Sequence, residues 1–330
     1  MSKRFDNKRI LYILGVLIIL LAITILVKLP REKASMREDL VNIDTAKVSL
    51  IIISPRTKDG TPFEFARTNG RWTIKQDNLV TQPEKDAVKN ILSEVMNIKP
   101  KSLEAVDKSK WNDFNLTDSL AIRVQFLDVK GKPLADLMIG RFTYSQVNNQ
   151  YAAPGGSGIQ GTSFVRLHDD SKVYGVDGFL ALSFSGQFND YRDKSFLKVT
   201  REDITKISFI FPADSGFVLN RKDSVWNANN QVTDSTAIAN FMNGLRYING
   251  QEIKDNYKPA QNPDYDMRIE GNNLLKITIK CFKTDIEDNY LLNSSLNPDV
   301  YFISKKDGIF DKVFRNEKYF TTKAVKKSPE

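Results

Sequence analysis

Asp44-Thr-Ala-Lys-Val-Ser-Leu-Ile-Ile52 reappears, with Asp, Lys, Ser and one Ile kept, as Asp203-Ile-Thr-Lys-Ile-Ser-Phe-Ile-Phe211. Both stretches are rich in β-formers, and the residues downstream of each are alike. Arg67-Thr-Asn-Gly-Arg-Trp72 and Arg221-Lys-Asp-Ser-Val-Trp226 each place an Arg, a short polar turn and a Trp after a β-rich run, the pattern of a hairpin. Val88, Ile91, Leu92, Val95 and Ile98 then match Ile238, Phe241, Met242, Leu245 and Ile248, spaced as one face of an amphipathic helix. Thr81 and Thr233 mark the N-cap regions, and Pro83 falls early in the first helix. Further on, Ile122-Arg-Val-Gln-Phe matches Leu275-Lys-Ile-Thr-Ile, and Phe164-Val-Arg-Leu matches Val300-Tyr-Phe-Ile. Strands gathered around one helix predict an α+β fold with an antiparallel sheet. The expectation is two tandem repeats, 40–198 and 199–322, each an antiparallel sheet with one packed amphipathic helix, then a tail at 323–330.

The first copy is longer than the second at 141–163, which reads RFTYSQVNNQYAAPGGSGIQGTS. So little apolar content predicts an exposed, mobile loop. Tyr144 and Tyr151 within it are the candidate partner-binding residues, because exposed aromatics in a polar loop suit recognition.

Ahead of the first copy, residues 10–27 read ILYILGVLIILLAITILV, with no charge. At 1.5 Å per residue this run makes about 27 Å of helix, close to the hydrocarbon thickness of a bilayer. Tyr12 suits one interface, Lys28 can snorkel at the other, and Pro30 ends the helix. No small-x-small cleavage site comes after it, so an uncleaved transmembrane anchor is expected at 10–29, between a cytoplasmic tail (1–9) and a linker (30–39). Of the net charge of +8 over 330 residues, +6 lies in residues 1–37. The basicity thus flanks the hydrophobic run and forms no nucleic-acid face. Four Lys/Arg on each side nearly balance, and the short N-terminal tail favours an inner-membrane protein whose large domain is extracytoplasmic or periplasmic.

One Cys (Cys281) and one His (His168) exclude an intrachain disulfide, a multi-cysteine metal site and any site needing two imidazoles. Gly156-Ser-Gly-Ile-Gln-Gly161 has the dinucleotide-fingerprint spacing, but strand residues come next where a helix is required. His168-Asp-Asp-Ser171 reads as a polar turn between strands, with no nucleophile elbow near it. Asp264-Tyr-Asp-Met-Arg-Ile-Glu-Gly271 lacks the acid and the glycine of a calcium loop. No catalytic, cofactor or metal residues are expected, and the protein reads as no enzyme. The alternative is an envelope ligand- or glycan-binding domain, including an Asp/Glu-based hydrolase, because paired carboxylates meet only in space. Trp72, Trp111 and Trp226 could form a sugar platform, although matched positions in both copies favour core for Trp72 and Trp226.

The chain resembles the DUF4340 family of bacterial membrane-anchored proteins. The resemblance rests on the hydrophobic N-terminal run, the Gly70-Arg-Trp72 hairpin and Trp111-Asn-Asp-Phe-Asn-Leu-Thr-Asp-Ser119. It continues through Ile139-Gly140, Phe164-Val-Arg166, Val173-Tyr-Gly-Val176 and Tyr191-Arg-Asp-Lys-Ser-Phe-Leu197. It implies a companion of ABC-type auxiliary transport systems of the gliding-motility kind, with no ATPase of its own and with protein partners in that complex. It carries no catalytic residue over to this chain and leaves the oligomeric state open.

Overall fold

The computed structural model describes residues 14–21, 36–147, 158–213 and 215–321. These residues form mostly antiparallel sheet with few helices, in two compact units that divide between Asp193 and Lys194. The first sheet comprises β1 (Leu50–Ser54), β2 (Phe63–Thr68), β3 (Arg71–Gln76), β4 (Leu79–Thr81), β5 (Pro100–Ala105), β6 (Ile122–Leu127), β7 (Pro133–Val147), β8 (Gly158–Leu167) and β9 (Val173–Asp177). Its strand order is β4-β3-β2-β1-β6-β7-β8-β9-β5. In the second unit β10 (Ser195–Lys198) pairs with β15 (Tyr247–Asn249). The large sheet there comprises β11 (Ile204–Phe211), β12 (Ser215–Lys222), β13 (Val225–Ala228), β14 (Gln231–Val232), β16 (Glu252–Lys254), β17 (Tyr265–Gly271), β18 (Leu274–Lys283), β19 (Asn289–Ser294) and β20 (Asn297–Lys305). Its order, β14-β13-β12-β11-β17-β18-β19-β20-β16, matches the first place for place.

Each sheet buries one face under one helix. The helix Ala87–Met96 buries Ala87, Val88, Ile91 and Val95, and the helix Ser235–Leu245 buries Ile238, Phe241, Met242 and Leu245. Each such aliphatic or aromatic side chain stabilises by about 1.5–3 kcal/mol on full burial. The helices start later than the expected caps. Thr81 ends β4, and Thr233 donates its hydroxyl to the Trp226 carbonyl. The N-cap of the second helix is Asp234, whose carboxylate accepts from the Ala237 amide at 2.8 Å. The first helix begins after Asp86, which has φ of 68° and makes no side-chain cap.

The two hairpins are built alike. Arg67 lies opposite Trp72 and Arg221 opposite Trp226, each guanidinium 5.7 or 5.9 Å from the indole. Each Arg also donates to a carbonyl of the 3-10 turn before the first strand of its large sheet, β1 or β11, Ala46 at 2.6 Å and Glu202 at 2.7 Å. Burial differs, since Trp226 is buried and Trp72 half-buried.

Further expectations are corrected, in the alignment of the copies, in their boundary and, third, in the 141–163 segment. Matching identical letters pairs Ile51 with Ile210, but Ile51 is fully buried and Ile210 is 41% exposed. The residue holding Ile51's place is Ile207, which faces Leu219 as Ile51 faces Phe65. The kept Asp, Lys and Ser lie at exposed or half-buried positions, while the buried positions fix register, and a shift of three residues turns a strand over. Likewise β6 takes the place of β17, not of the 275–279 segment in β18. Strand β10, assigned from sequence to the first half, ladders within the second unit. The third correction concerns 141–163. Residues 141–147 and 158–163 are strand, with the register continuous from Phe142↔Ser163 to Val147↔Gly158, and 148–157 lie outside the described residues. Beyond a base packed at Phe142, Gly161 and Ser163, backbone hydrogen bonds hold the exposed pairs, so low apolar content does not preclude a ladder.

Each unit closes with a short helical segment that seats an aromatic ring. Tyr191 packs edge-on to Phe65 with centroids 5.7 Å apart, and its carbonyl accepts from the Glu84 amide at 2.7 Å. Phe320, fully buried, packs edge-on to Phe241 at 5.0 Å, and its carbonyl accepts from the Asp234 amide at 2.7 Å. Both latches tie the end of a unit to the start of its helix.

Within the hydrophobic run, residues 14–21 are helical, and the rest of the expected anchor lies outside the described residues. No helix among the described residues is long and apolar enough to cross a membrane.

Candidate interaction surfaces

The β7–β8 hairpin leaves the first sheet as an arm. Residues across an antiparallel pair share a face. Phe142, Tyr144 and Gln146 therefore share one face with Ile159, Gly161 and Ser163. At the base, Phe142 meets Phe179 edge-on at 5.3 Å, and that ring lies over Gly161, where a Cβ would come within 2.7 Å of it. Ser163 fixes the base by donating to the Gly178 carbonyl at 2.8 Å and accepting from the Leu180 amide at 2.9 Å. Further out, Tyr144 and Ile159 are 73% and 65% exposed. Of the two predicted anchors, Tyr144 lies on this face, and Tyr151 lies outside the described residues. Ile159 escapes the reading of the sequence. Its signal is the alternation within Gly-Ile-Gln-Gly-Thr-Ser-Phe-Val, hidden by the glycines.

A polar cluster occupies the other face of the first sheet. Arg166 is almost fully buried, stacked 3.6 Å from the Trp111 ring centroid. It donates to the carbonyls of Leu116, Leu167 and His168 at 3.0, 3.1 and 2.6 Å. Burial lowers its pKa, and the exposed Asp118, 3.4 Å away, opposes that shift. Beside it Arg123 grips Asp136 with two hydrogen bonds, at 2.9 and 2.5 Å, which raise the guanidinium pKa. The His168 ring bonds Asp169 at 2.8 Å and lies 4.0 Å from Asp136. Among the described residues no hydroxyl or thiol hydrogen-bonds to that ring, so the cluster contains the acid and imidazole of a triad without its nucleophile. Cys281 is buried in the second core, where burial pushes its thiol far up.

Among the grooves open to solvent in the described residues, two are the most spacious of those seen. In the first unit about 610 Å³ lies along the helix Ala87–Met96, floored by Trp72, Val88, Leu92 and Met96. Its rim alternates exposed Glu84, Lys85, Asp86 and Lys89. In the second unit about 810 Å³ lies beside Lys198, Glu202, Arg246 and Tyr247. Among the described residues no group of three or more His, Cys, Asp or Glu could hold a metal ion.

A family model described as a domain of unknown function, DUF4340, matches residues 80–267, more than half of the chain. The chain belongs to the DUF4340 family. The DUF4340 match starts in β4 and ends in β17, so it draws on both units. No curated protein and no solved structure matches the chain. The DUF4340 motifs seen in the sequence converge on packing joints. A Cβ at Gly140 would collide with the Phe114 carbonyl and the Leu116 side chain, so this glycine lets the 111–119 segment cross β7. Trp111 and Phe114 of that segment pack on Leu116, Met138, Phe164 and Val173. Tyr191, in the last of these motifs, is the first latch, its phenol pushed up to about 12 chiefly by burial and further by Asp190.

Proposed function

We propose that this DUF4340 protein is a non-catalytic, membrane-anchored accessory protein whose exported part, two tandem copies of one α+β unit, binds protein partners. The observation that carries the reading is the arm, whose exposed Tyr144 and Ile159 form an apolar face with no counterpart in the shorter β18–β19 hairpin. Exposed aromatic and aliphatic pairs on a rigid element suit recognition. The matching strand orders support duplication. The helix at 14–21 supports the anchor, since Leu14, Leu17, Ile18 and Leu21 are each more than half exposed, as lipid-facing residues are. Partners in an ABC-type transport complex of the gliding-motility kind, and an inner-membrane location with the large part extracytoplasmic, rest on the family resemblance and the charge flanks.

The test is a membrane pull-down with the full chain. Tyr144→Ala with Ile159→Ala should cut partner recovery severalfold while the melting temperature holds; unchanged recovery overturns the docking role. Release from carbonate-washed membranes as a shortened soluble chain overturns the anchor. One observation favours a second reading, a ligand or glycan site: Trp72, unlike Trp226, is half exposed in an open groove. Saturable quenching of Trp72 fluorescence by a soluble glycan, abolished in Trp72→Phe, would support it.

A further inference from the structure

We propose that the outer edge of β7, residues 142–147, pairs antiparallel with the same edge of a second copy of this chain. Strand β6 covers β7 only as far as Ile139, where the last pair is Ile122↔Ile139. Just beyond, side chains reach across, Arg56 to the Gly140 carbonyl at 3.5 Å and Arg141 to the Asp113 carbonyl at 2.8 Å. From 142 to 147 the ladder runs to β8 alone, and among the described residues no backbone group of another strand meets the opposite edge. An open edge of this kind is a row of unpaired amides and carbonyls that a further strand completes.

The chain guards its other sheet edges. Strands β4, β14 and β16 have three, two and three residues. Strand β5 is longer but carries Pro100, Lys101 and Glu104. Short length, proline and charge are the ordinary devices that keep an edge from pairing. Residues 142–147, Phe-Thr-Tyr-Ser-Gln-Val, have none of them: no charge, no proline and no break in register. The edge of β8 is open, among the described residues, only over the three residues 158–160, because β9 pairs from Thr162 and the Gly161 carbonyl accepts from the Gly178 amide at 3.0 Å.

A second copy is the occupant that this edge fits. An antiparallel strand pair about a twofold axis is complementary to itself in its backbone hydrogen bonds, and it fails only where like charges meet. This edge has no charge to meet. A twofold normal to the arm keeps each face on one side, so either Tyr144 or Ser145 lies opposite its own mate. The proposal concerns the edge and stands whether or not the Tyr144 face carries another partner.

The test uses the full chain in mild detergent. Sedimentation should show a monomer–dimer equilibrium. Cys281 is buried, so the native chain should not cross-link under mild oxidation. Of the single substitutions Tyr144→Cys and Ser145→Cys, the one at the axis should form a disulfide dimer, since Cα atoms of directly opposed residues lie about 4.5–5.5 Å apart, within disulfide reach. Tyr144→Lys with Gln146→Lys should weaken the dimer about tenfold or more, with the melting temperature unchanged within a few degrees. A chain that stays monomeric at tens of micromolar overturns the proposal. So does a dimer that neither cysteine cross-links, or one indifferent to the lysines. Partner recovery in the pull-down is a separate readout, so the docking role and the self-pairing can fail independently.

Discussion

Arg166 is the charged side chain whose removal exposes most of the first unit's polar wiring. Replacing it with Met fills the space beside Trp111 but takes the donor from the carbonyls of Leu116 and His168, while that of Leu167 keeps the Asp170 amide. Each buried carbonyl left without a donor costs about 1–3 kcal/mol, and urea denaturation monitored by tryptophan fluorescence should show that loss. Arg166→Lys should recover only part of it, because an ammonium can neither stack flat on the indole nor reach three acceptors from a planar fork. Tyr191 gives a pH prediction. Its phenol titrates near 10 when unfolded and is pushed up to about 12 when folded, by burial first and Asp190 second. The neutral form is the one the fold prefers, so its contribution is whole below pH 10 and is lost as pH rises toward 12. Tyr191→Phe loses the hydrogen bond to the Ser183 carbonyl, about 1 kcal/mol, yet should flatten the decline of stability between pH 10 and 12. Equal alkaline slopes in both proteins would show that Tyr191 does not titrate as described. These residues differ in how far sequence discloses them. Arg67 with Trp72 and Arg221 with Trp226 stand out because a hairpin is local. Arg166 does not, because its acceptor at Leu116 arrives from fifty residues away.

The two helices invite a paired experiment at their starts. Asp234 caps its helix through the Ala237 amide, so Asp234→Ala should cost about 1 kcal/mol. Asp86 holds a left-handed φ of 68° and caps nothing, so Asp86→Gly should be neutral or stabilising by up to about 1 kcal/mol. The melting temperature should therefore fall for the Asp234 variant alone, and a matching loss at both positions would contradict the cap assignments. The apolar faces of both helices are legible in the sequence: Val88, Ile91, Val95, Ile238, Phe241, Met242 and Leu245 are all buried. Leu92 is the exception, half-buried in a groove, where Met242 in the second helix is fully covered. Strand pairing beyond the helices is not legible, because β6 and β17 join β1 and β11 across several intervening strands and a helix, to partners that no local pattern names. The arm escapes prediction for a related reason. Composition reports how much a segment can bury, while a ladder such as Tyr144↔Gly161 is held by backbone groups that every sequence shares.

Each unit carries a core of its own. The core from Phe196 to Phe320 is built only of second-unit residues, and the cores from Leu40 to Phe188 only of first-unit residues. A fragment spanning 194–321 should therefore fold alone, giving a cooperative melt and dispersed amide resonances. A disordered spectrum would show that its core needs the rest of the chain. Truncating the fragment before Phe320 should abolish that melt, since removing a buried Phe side chain alone costs about 3–5 kcal/mol. The latches have a consequence for biosynthesis. Tyr191 and Phe320 follow every strand of the large sheet in their units, so a nascent chain leaving the ribosome cannot close a unit until its ring has emerged. The first ring arrives before β11 has been made. Two β-sheets of the same strand order in one polypeptide risk exchanging strands, a characteristic failure of chains with similar neighbours. Here the order of synthesis shuts the first before the second exists, so the hazard falls on refolding from denaturant, where both halves compete at once.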